Sequence, residues 1–244
     1  MDLLLNCDLG EANSAGQLSV EMQVMPCIDQ ANIACGMHAG DPLVIKDTLA
    51  LAKQHNVMVG AHPSYPDREN FGRRSMQMPA TELIACVQYQ IATLQGMAQN
   101  IGLSLGYVKP HGALYNDMMS NGHLRSAVMT AVAESQATSN LMLLATAEAE
   151  THRQEAQAFG LKLYFEVFAD RAYQDNGALV PRGTEGAILS SEQMLAQVQQ
   201  LAQDGSVTTI SGQRLSLLAD SLCVHGDNPQ AVAEIDEIRR ILRS

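Results

Sequence analysis

Basic residues are scarce in this sequence, which has 15 lysines and arginines against 26 aspartates and glutamates in 244 residues. The resulting formal charge of −11 argues against nucleic acid or an anionic membrane surface as a partner. No apolar run approaches the ~18 residues that a membrane-spanning helix needs. Because 46% of the residues are hydrophobic, the composition indicates a globular protein with a sizeable core.

Cysteines are also few, and the common phosphate-binding loop motifs are missing. The five cysteines include no CxxC pair, and an odd count of this kind indicates reduced thiols in the cytoplasm. Cys7, Cys35 and Cys223 lie in apolar, strand-like runs, where small core residues are expected. No GxxxxGK[ST] or GxGxxG motif occurs. A nucleotide would therefore be held by another arrangement or by another chain.

What the sequence does contain is a regular alternation of short apolar runs and helical patterns. Helix starts are marked by Asp41 before Pro42, by Asn228 before Pro229, and by a Ser190–Gln193 capping box. Residues 207–218 suggest a small hairpin. Strands are predicted at residues 3–7, 33–35, 57–61, 105–108, 141–145, 163–168 and 222–224. Strands that alternate with helices predict a parallel sheet, and seven in this length favour one closed β/α barrel domain over residues 1–244.

Four of the seven histidines stand within a residue or two of a predicted strand end, namely His38, His62, His111 and His225. The carboxyl ends of parallel strands meet at one face of a barrel, so these side chains are expected to converge there. The same rim should carry Asp8, Glu11, Asp41, Lys109, Asp170, Arg171 and Asp227. The other histidines, His55, His123 and His152, lie in helical or loop patterns and are expected at the surface.

The chemistry of this rim stays open at the level of sequence. Histidines and aspartates can hold a divalent metal that activates water, or they can act without metal as general acid and base. No HxxxH or HExxH pair decides between these two interpretations. The loop at residues 64–74 is either a solvated segment or a lid. In the second case Arg68 and Arg73 are candidates to grip a carboxylate or phosphate.

Several long motifs resemble the LamB/YcsF family. They read LNCDLGE, ANIACGMHAGD, GAHPSYPDRENFGRR, VKPHGALYN, EVFADRAY, LVPRG and CVHGD, and they extend over residues 3–227 in family order. Two positions depart from the pattern. Cys7 stands where a small residue such as Ala is expected, and Met37 stands where an aromatic residue is usual.

The resemblance implies a seven-stranded parallel β/α barrel similar to that of polysaccharide deacetylases and related glycoside hydrolase-like barrels. It also implies ATP-dependent hydrolysis of 5-oxo-L-proline to L-glutamate together with 5-oxoprolinase subunits B and C, with ATP as co-substrate and a divalent cation. The candidate catalytic residues are Asp8, His38, His62, Lys109, His111, Asp170 and His225. The candidate substrate- or phosphate-binding residues are Glu11, Asn32, Asp41, Arg68, Arg73, Arg171 and Asp227.

Two other functions are compatible with the same residues. The chain could be a stand-alone metal-dependent deacetylase or amidohydrolase, which an analogy of fold alone suggests. It could also be a carrier subunit that binds a small acid and does no chemistry. Bound metal with activity of the isolated chain would indicate the first, and tight binding without turnover would indicate the second.

Overall fold

The computed structural model describes residues 3–12 and 18–244. Its strands are β1 (Leu4–Leu9), β2 (Gln30–Ala34), β3 (Met58–His62), β4 (Leu105–Val108), β5 (Asn140–Leu144), β6 (Lys162–Phe168), β7 (Ser206–Thr208), β8 (Arg214–Ser216) and β9 (Ser221–Val224). Seven of them form a closed parallel barrel in the order β1-β2-β3-β4-β5-β6-β9, while β7 and β8 form a separate antiparallel pair. The predicted seven-stranded barrel and the small hairpin are therefore confirmed.

Helices surround the barrel between successive strands. They are α1 (Ser19–Val24), α2 (Pro42–His55), α3 (Ala80–Gln99), α4 (Gly112–Ser120), α5 (Gly122–Ser135), α6 (Ala149–Ala158), α7 (Ser191–Asp204), α8 (Pro229–Ala233) and α9 (Ile235–Leu242). The predicted caps are present, since Asp41 and Asn228 accept from backbone N–H groups in the first turns of α2 and α8. Ser190 and Gln193 form the capping box of α7. No helix in the described ranges is both long and apolar enough to cross a membrane.

Two helix assignments from the sequence need correction. The pattern that starts at Pro229 and includes Ile235, Ile238 and Leu242 predicts a single last helix. The structure divides it at Glu234 into α8 and α9, and the three apolar residues of α9 are buried where it packs on α7. Helix α4 was not predicted, because its start directly after His111 has no side-chain cap. Its first residue, Gly112, has a positive φ of 58° and lies so close to Gly72 that a Cβ would be 2.5 Å from the Gly72 carbonyl oxygen.

Apolar packing lies mainly between the outer face of the barrel and the helices. On α3, for example, Leu83, Val87, Ile91 and Leu94 repeat at helical spacing and are all buried. Burying each side chain contributes about 1.5–3 kcal/mol relative to full exposure. On β1, Leu5, Cys7 and Leu9 join the same apolar core. The alternate residues of β1 therefore face the barrel interior.

The barrel interior is filled by polar side chains instead of the branched apolar residues common in β/α barrels. We call this set the polar floor, and it consists of Asn6, Gln30, Asn32, Tyr107, Glu166 and Ser221, all fully buried. Asn6 donates to Ser221 Oγ at 2.7 Å, and Asn32 donates to Asn6 Oδ1 at 2.8 Å. These bonds join side chains from different strands, so the floor is a continuous network beneath the carboxyl ends of the strands.

Candidate active site

Lys109 lies at the centre of the barrel, immediately after β4. Its Nζ is 3.0 Å from Asp8 Oδ1, 2.9 Å from Glu166 Oε2 and 3.1 Å from Cys223 Sγ. Burial alone would lower the pKa of Lys109, but the neighbouring negative charges, Asp8 foremost, raise that pKa well above its usual value. The ammonium group is therefore charged at neutral pH although its side chain is only 3% exposed.

Asp8 faces the same interior space. The sequence places it beyond the first strand, whereas it lies inside β1, and the alternation of the strand points it inward. Its Oδ1 accepts from Asn32 at 2.7 Å, and its Oδ2 lies 3.4 Å from His62 Nε2. Burial opposes ionisation, yet Lys109 and His62 hold the pKa of Asp8 well below its ordinary value. Asp8 is thus a buried carboxylate whose second oxygen is directed towards the histidines.

Three of the four predicted strand-end histidines form one cluster with Glu11. We call His38, His62, His111 and Glu11 the histidine cluster. His111 Nδ1 is 2.9 Å from His62 Nε2, and His38 Nε2 is 3.0 Å from Glu11 Oε1. The rings of His38 and His111 stack with centroids 3.8 Å apart and planes 6° from parallel. Burial, with further contributions from neighbouring rings, lowers the pKa of both His38 and His111 well below the usual value, so these rings are neutral at pH 7.

The fourth histidine, His225, pairs with Asp170 a short distance away. His225 Nδ1 donates to Asp170 Oδ1 at 2.8 Å, and Asn228 donates to Asp170 Oδ2 at 2.9 Å. Burial opposes the shift, but His225 and Asn228 lower the pKa of Asp170. Polar atoms of His225, Asp8 and Cys223 lie within 4.8 Å of one another, so this pair adjoins the Lys109 site. The two groups form one continuous site.

The loop at residues 64–74 lies over the histidine cluster. The Phe71 carbonyl is 2.9 Å from His111 Nε2, and a Cβ at Gly72 would come within 2.9 Å of both His38 and His111. Arg68 holds the loop to the β2–α2 connection by donating to the carbonyls of Gly36 and Gly40. The loop is thus an ordered cover of the site.

Two partly exposed arginines lie beside one carboxylate at the open end of the site. Arg73 Nη2 contacts Asp227 Oδ2, and Arg182 Nη1 is 3.8 Å from the same oxygen. The Arg73 side chain is 37% exposed and its guanidinium lies 5.0 Å from the centre of the Phe71 ring. Two cations thus share one anion beside the site.

Several predicted binding residues have other partners. Asp41 caps α2, and Arg171 is buried with its guanidinium on the carbonyls of Val180 and Ala187. Asn32 lies in the polar floor. The prediction of a surface position for His152 is wrong, because it is 1% exposed. It shares the inner face of α6 with Ala149 and Ala156, which are three residues before it and four residues after it.

Sequence reasoning also missed residues that belong to the site. Glu166 lies within the predicted strand at residues 163–168, but its contact with Lys109 needs the curved barrel, in which β6 pairs with β9 and β9 pairs with β1. Arg182 lies in the LVPRG motif, which was the only signal that pointed to it. Phe71 contributes its backbone carbonyl, a group that residue types alone do not reveal.

Comparisons with known proteins give one consistent result. A family model described as LamB/YcsF matches residues 3–244. Among curated relatives, the A subunit of 5-oxoprolinase from Vibrio campbellii is 48% identical over 98% of this chain and 95% of that protein. The Pseudomonas fluorescens protein of the same name is 45% identical over 98% and 96%. The crystal structure of the lactam utilization protein from Thermus thermophilus superposes with a TM-score of 0.88 and 34% identity, covering 98% of this chain and 96% of that one.

Proposed function

Because the chain belongs to the LamB/YcsF family, we propose that it is the A subunit of a 5-oxoprolinase, which hydrolyses 5-oxo-L-proline to L-glutamate coupled to ATP hydrolysis. The names of the relatives and of the superposed lactam utilization protein support this substrate class. We further propose that residues 1–244 act as one barrel domain in the cytoplasm, where the free cysteines stay reduced.

The reaction needs an activated carbonyl, because a lactam is a weak electrophile. Transfer of the ATP γ-phosphoryl group to the lactam oxygen releases ADP and makes C5 more electrophilic, so that water can attack it. Water adds to C5, the C5–N bond breaks, and the departing nitrogen takes up a proton, which leaves the acyl phosphate of glutamate. A second water hydrolyses the acyl phosphate to glutamate and phosphate. The site must therefore move protons, stabilise negative charge and bind two anionic groups.

The observation that carries the proposal is the pair of His225 and Asp170 beside the Lys109 site. Nδ1 of His225 donates to Asp170, so the carboxylate orients the ring and a neutral ring would carry its lone pair on Nε2. We assign to His225 the removal of a proton from water and its return to the ring nitrogen. Lys109 and Asp8 set the charge of the interior, and Arg73 with Arg182 are assigned to the substrate carboxylate or the phosphate.

Partner subunits B and C are part of the proposal, and we assign the phosphoryl transfer from ATP to the complex. The test combines the purified chain, the two partners, 5-oxoproline, ATP and Mg²⁺, and measures glutamate. Glutamate should form only in the complete mixture, and Asp170→Asn should reduce its rate about 10²–10⁴-fold, the usual range for loss of general acid–base catalysis. Formation of glutamate by the chain alone would overturn the division of labour.

A second outcome of the same test would replace the proposal altogether. If the complete mixture yields no glutamate while the isolated chain releases acetate from an acetylated sugar or amide, the protein is a stand-alone hydrolase. The histidine cluster favours this alternative over a carrier, because imidazoles gathered with a carboxylate are typical ligands of hydrolytic metal ions.

A further inference from the structure

We propose that His62, His111 and Glu11 bind one divalent transition-metal ion of the zinc class. This ion would be separate from the magnesium that accompanies ATP. Imidazole nitrogens suit zinc and its neighbours in the transition series, whereas Mg²⁺ prefers oxygen ligands. The binding itself is argued from the contacts of these residues, while its use in catalysis rests on the proposed function.

Two backbone carbonyls determine where the protons of His62 and His111 lie. His62 Nδ1 is 2.7 Å from the Lys109 carbonyl oxygen, and His111 Nε2 is 2.9 Å from the Phe71 carbonyl oxygen. A carbonyl oxygen only accepts, so each of these nitrogens carries hydrogen. When each ring carries one proton, the form that metal binding requires, the lone pairs are on His62 Nε2 and His111 Nδ1. In that form these two atoms, which are 2.9 Å apart, have no hydrogen between them.

A cation between the two nitrogens removes this repulsion. Ligands about 2.1 Å from an ion are about 3.0–3.4 Å from each other at the corners of an octahedron or tetrahedron. The His62–His111 distance of 2.9 Å and the Glu11 Oε1–His111 Nδ1 distance of 3.6 Å are close to this range. Asp8 Oδ2, 3.4 Å from His62 Nε2, adds negative charge beside the same point.

His38 takes a different part in this arrangement. Its ring is parallel to that of His111 and stacked on it, and two stacked rings cannot both direct an in-plane lone pair at one ion between them. His38 Nε2 instead lies 3.0 Å from Glu11 Oε1, where it can donate to the ionised carboxylate that a metal ion would bind. We therefore assign His38 as the positioning residue of the Glu11 carboxylate, in the way that metal-binding carboxylates are commonly held by a second hydrogen bond. Its Nδ1 lone pair has no partner among the described residues.

The site has the arrangement of a catalytic rather than a structural metal centre. Two imidazoles and one carboxylate leave coordination positions for water or substrate. The second hydrogen bond of each imidazole goes to a backbone carbonyl, which fixes the tautomer that metal binding needs. In the proposed reaction such an ion would polarise the acyl group or lower the pKa of a bound water.

The test measures metal binding without reference to activity. The untagged chain is purified, depleted with EDTA, and titrated with Zn²⁺ by calorimetry, and Co²⁺ is added separately to record its visible absorption. We expect one ion per chain. His62→Asn keeps a donor for the Lys109 carbonyl but lacks Nε2, and His111→Gln keeps a donor for the Phe71 carbonyl but lacks Nδ1. Each should weaken Zn²⁺ binding by more than about 100-fold, beyond the range for loss of a supporting hydrogen bond.

Variants of His38 separate positioning from ligation. His38→Ala should weaken Zn²⁺ binding about 10–100-fold, as loss of a supporting hydrogen bond does. His38→Gln, whose amide nitrogen can donate in place of Nε2, should restore most of the affinity. Exposed His123→Ala is the matched control and should bind as the wild type does. Circular dichroism confirms that each variant is folded.

Three results would overturn the inference. They are the absence of stoichiometric Zn²⁺ binding, full affinity in both His62→Asn and His111→Gln, and loss of binding in His123→Ala. The first would mean that a shared proton, not an ion, joins His62 to His111. Zn²⁺ binding without any glutamate formation in the complete mixture would keep the metal site and reject the proposed function.

Discussion

Replacing Lys109 with Met tests whether the interior charges are balanced as the structure indicates. In the wild type one ammonium group neutralises Asp8 and Glu166 at 3.0 and 2.9 Å, and the variant would leave both carboxylates buried without a cation. Removing one partner of a buried ion pair costs about 3–5 kcal/mol. In a chain of 244 residues each 1 kcal/mol lowers Tm by about 2–4 °C, so we expect a decrease of about 6–20 °C at pH 7.5.

The pH dependence follows from the same charges. In the wild type the pKa of Asp8 lies well below its ordinary value, so its contribution to stability is present at neutral pH and is lost as pH falls towards the folded-state pKa. Without Lys109, burial favours the protonated carboxyls, so the variant gains stability relative to its unfolded chain as pH falls. The wild-type loss begins only near the unfolded-state pKa of about 4, so between pH 8 and pH 5 the gain of the variant alone should narrow the Tm difference.

A double variant makes the test sharper. Lys109→Met with Glu166→Gln removes one of the two stranded charges and should recover part of the lost stability. Lys46→Met, on the exposed side of α2, is the matched control and should change Tm little. Thermal unfolding followed by circular dichroism measures all four proteins. A Lys109→Met variant as stable as the wild type, or a double variant less stable than the single one, would refute the charge balance.

Three further predictions concern stability and catalysis. Burial, together with Arg125, lowers the pKa of His152 in the folded chain. As pH falls below about 6.5, this residue therefore binds a proton in the unfolded chain before it does so in the folded chain. His152→Gln should therefore lose less stability than the wild type between pH 7 and pH 5.5. Urea unfolding at each pH measures the free energy of unfolding, and an equal decrease in the two proteins would contradict this. Gly60→Ala would place a Cβ 2.3 Å from the buried Tyr107 ring and should cost several kcal/mol of stability. Gly96→Ala, at an exposed position in α3, should instead raise Tm by about 1–4 °C. Asp170→Asn should alter the pH profile of glutamate formation in the complete mixture as well as its rate, and an unchanged profile would reject its orienting role.

The barrel was predictable because its signals are local. Helix caps at Asp41 and Asn228, the Ser190 capping box and the apolar stripe of α3 each depend on residues within a few positions of one another. The seven strands were short apolar runs bounded by polar residues, and their parallel order follows from the intervening helices. The placement of polar residues at or shortly after the ends of β2, β3, β4 and β9 follows from the same pattern.

What the sequence did not show depends on contacts between distant strands. The pairing of Glu166 with Lys109 needs the closed barrel, and a charged residue within a strand has no local signal of an inward partner. Arg68 and Arg171 resembled substrate-binding cations, yet they donate to backbone carbonyls, which no residue pattern records. His152 lies in a polar helix, so its burial against neighbouring elements was not visible in the spacing of apolar residues.

The hydrogen bond from His111 to the Phe71 carbonyl connects the covering loop to the kinetics of the site. While the loop is in place, the proton of His111 stays on Nε2. If the loop were displaced, His111 Nε2 would lose this acceptor, and once an ion had left, the tautomer protonated on Nδ1, which has no lone pair facing His62, would become accessible. The proposed ion would then be held less tightly, so an occupant of the site that keeps the loop in place would slow exchange of the ion with solvent.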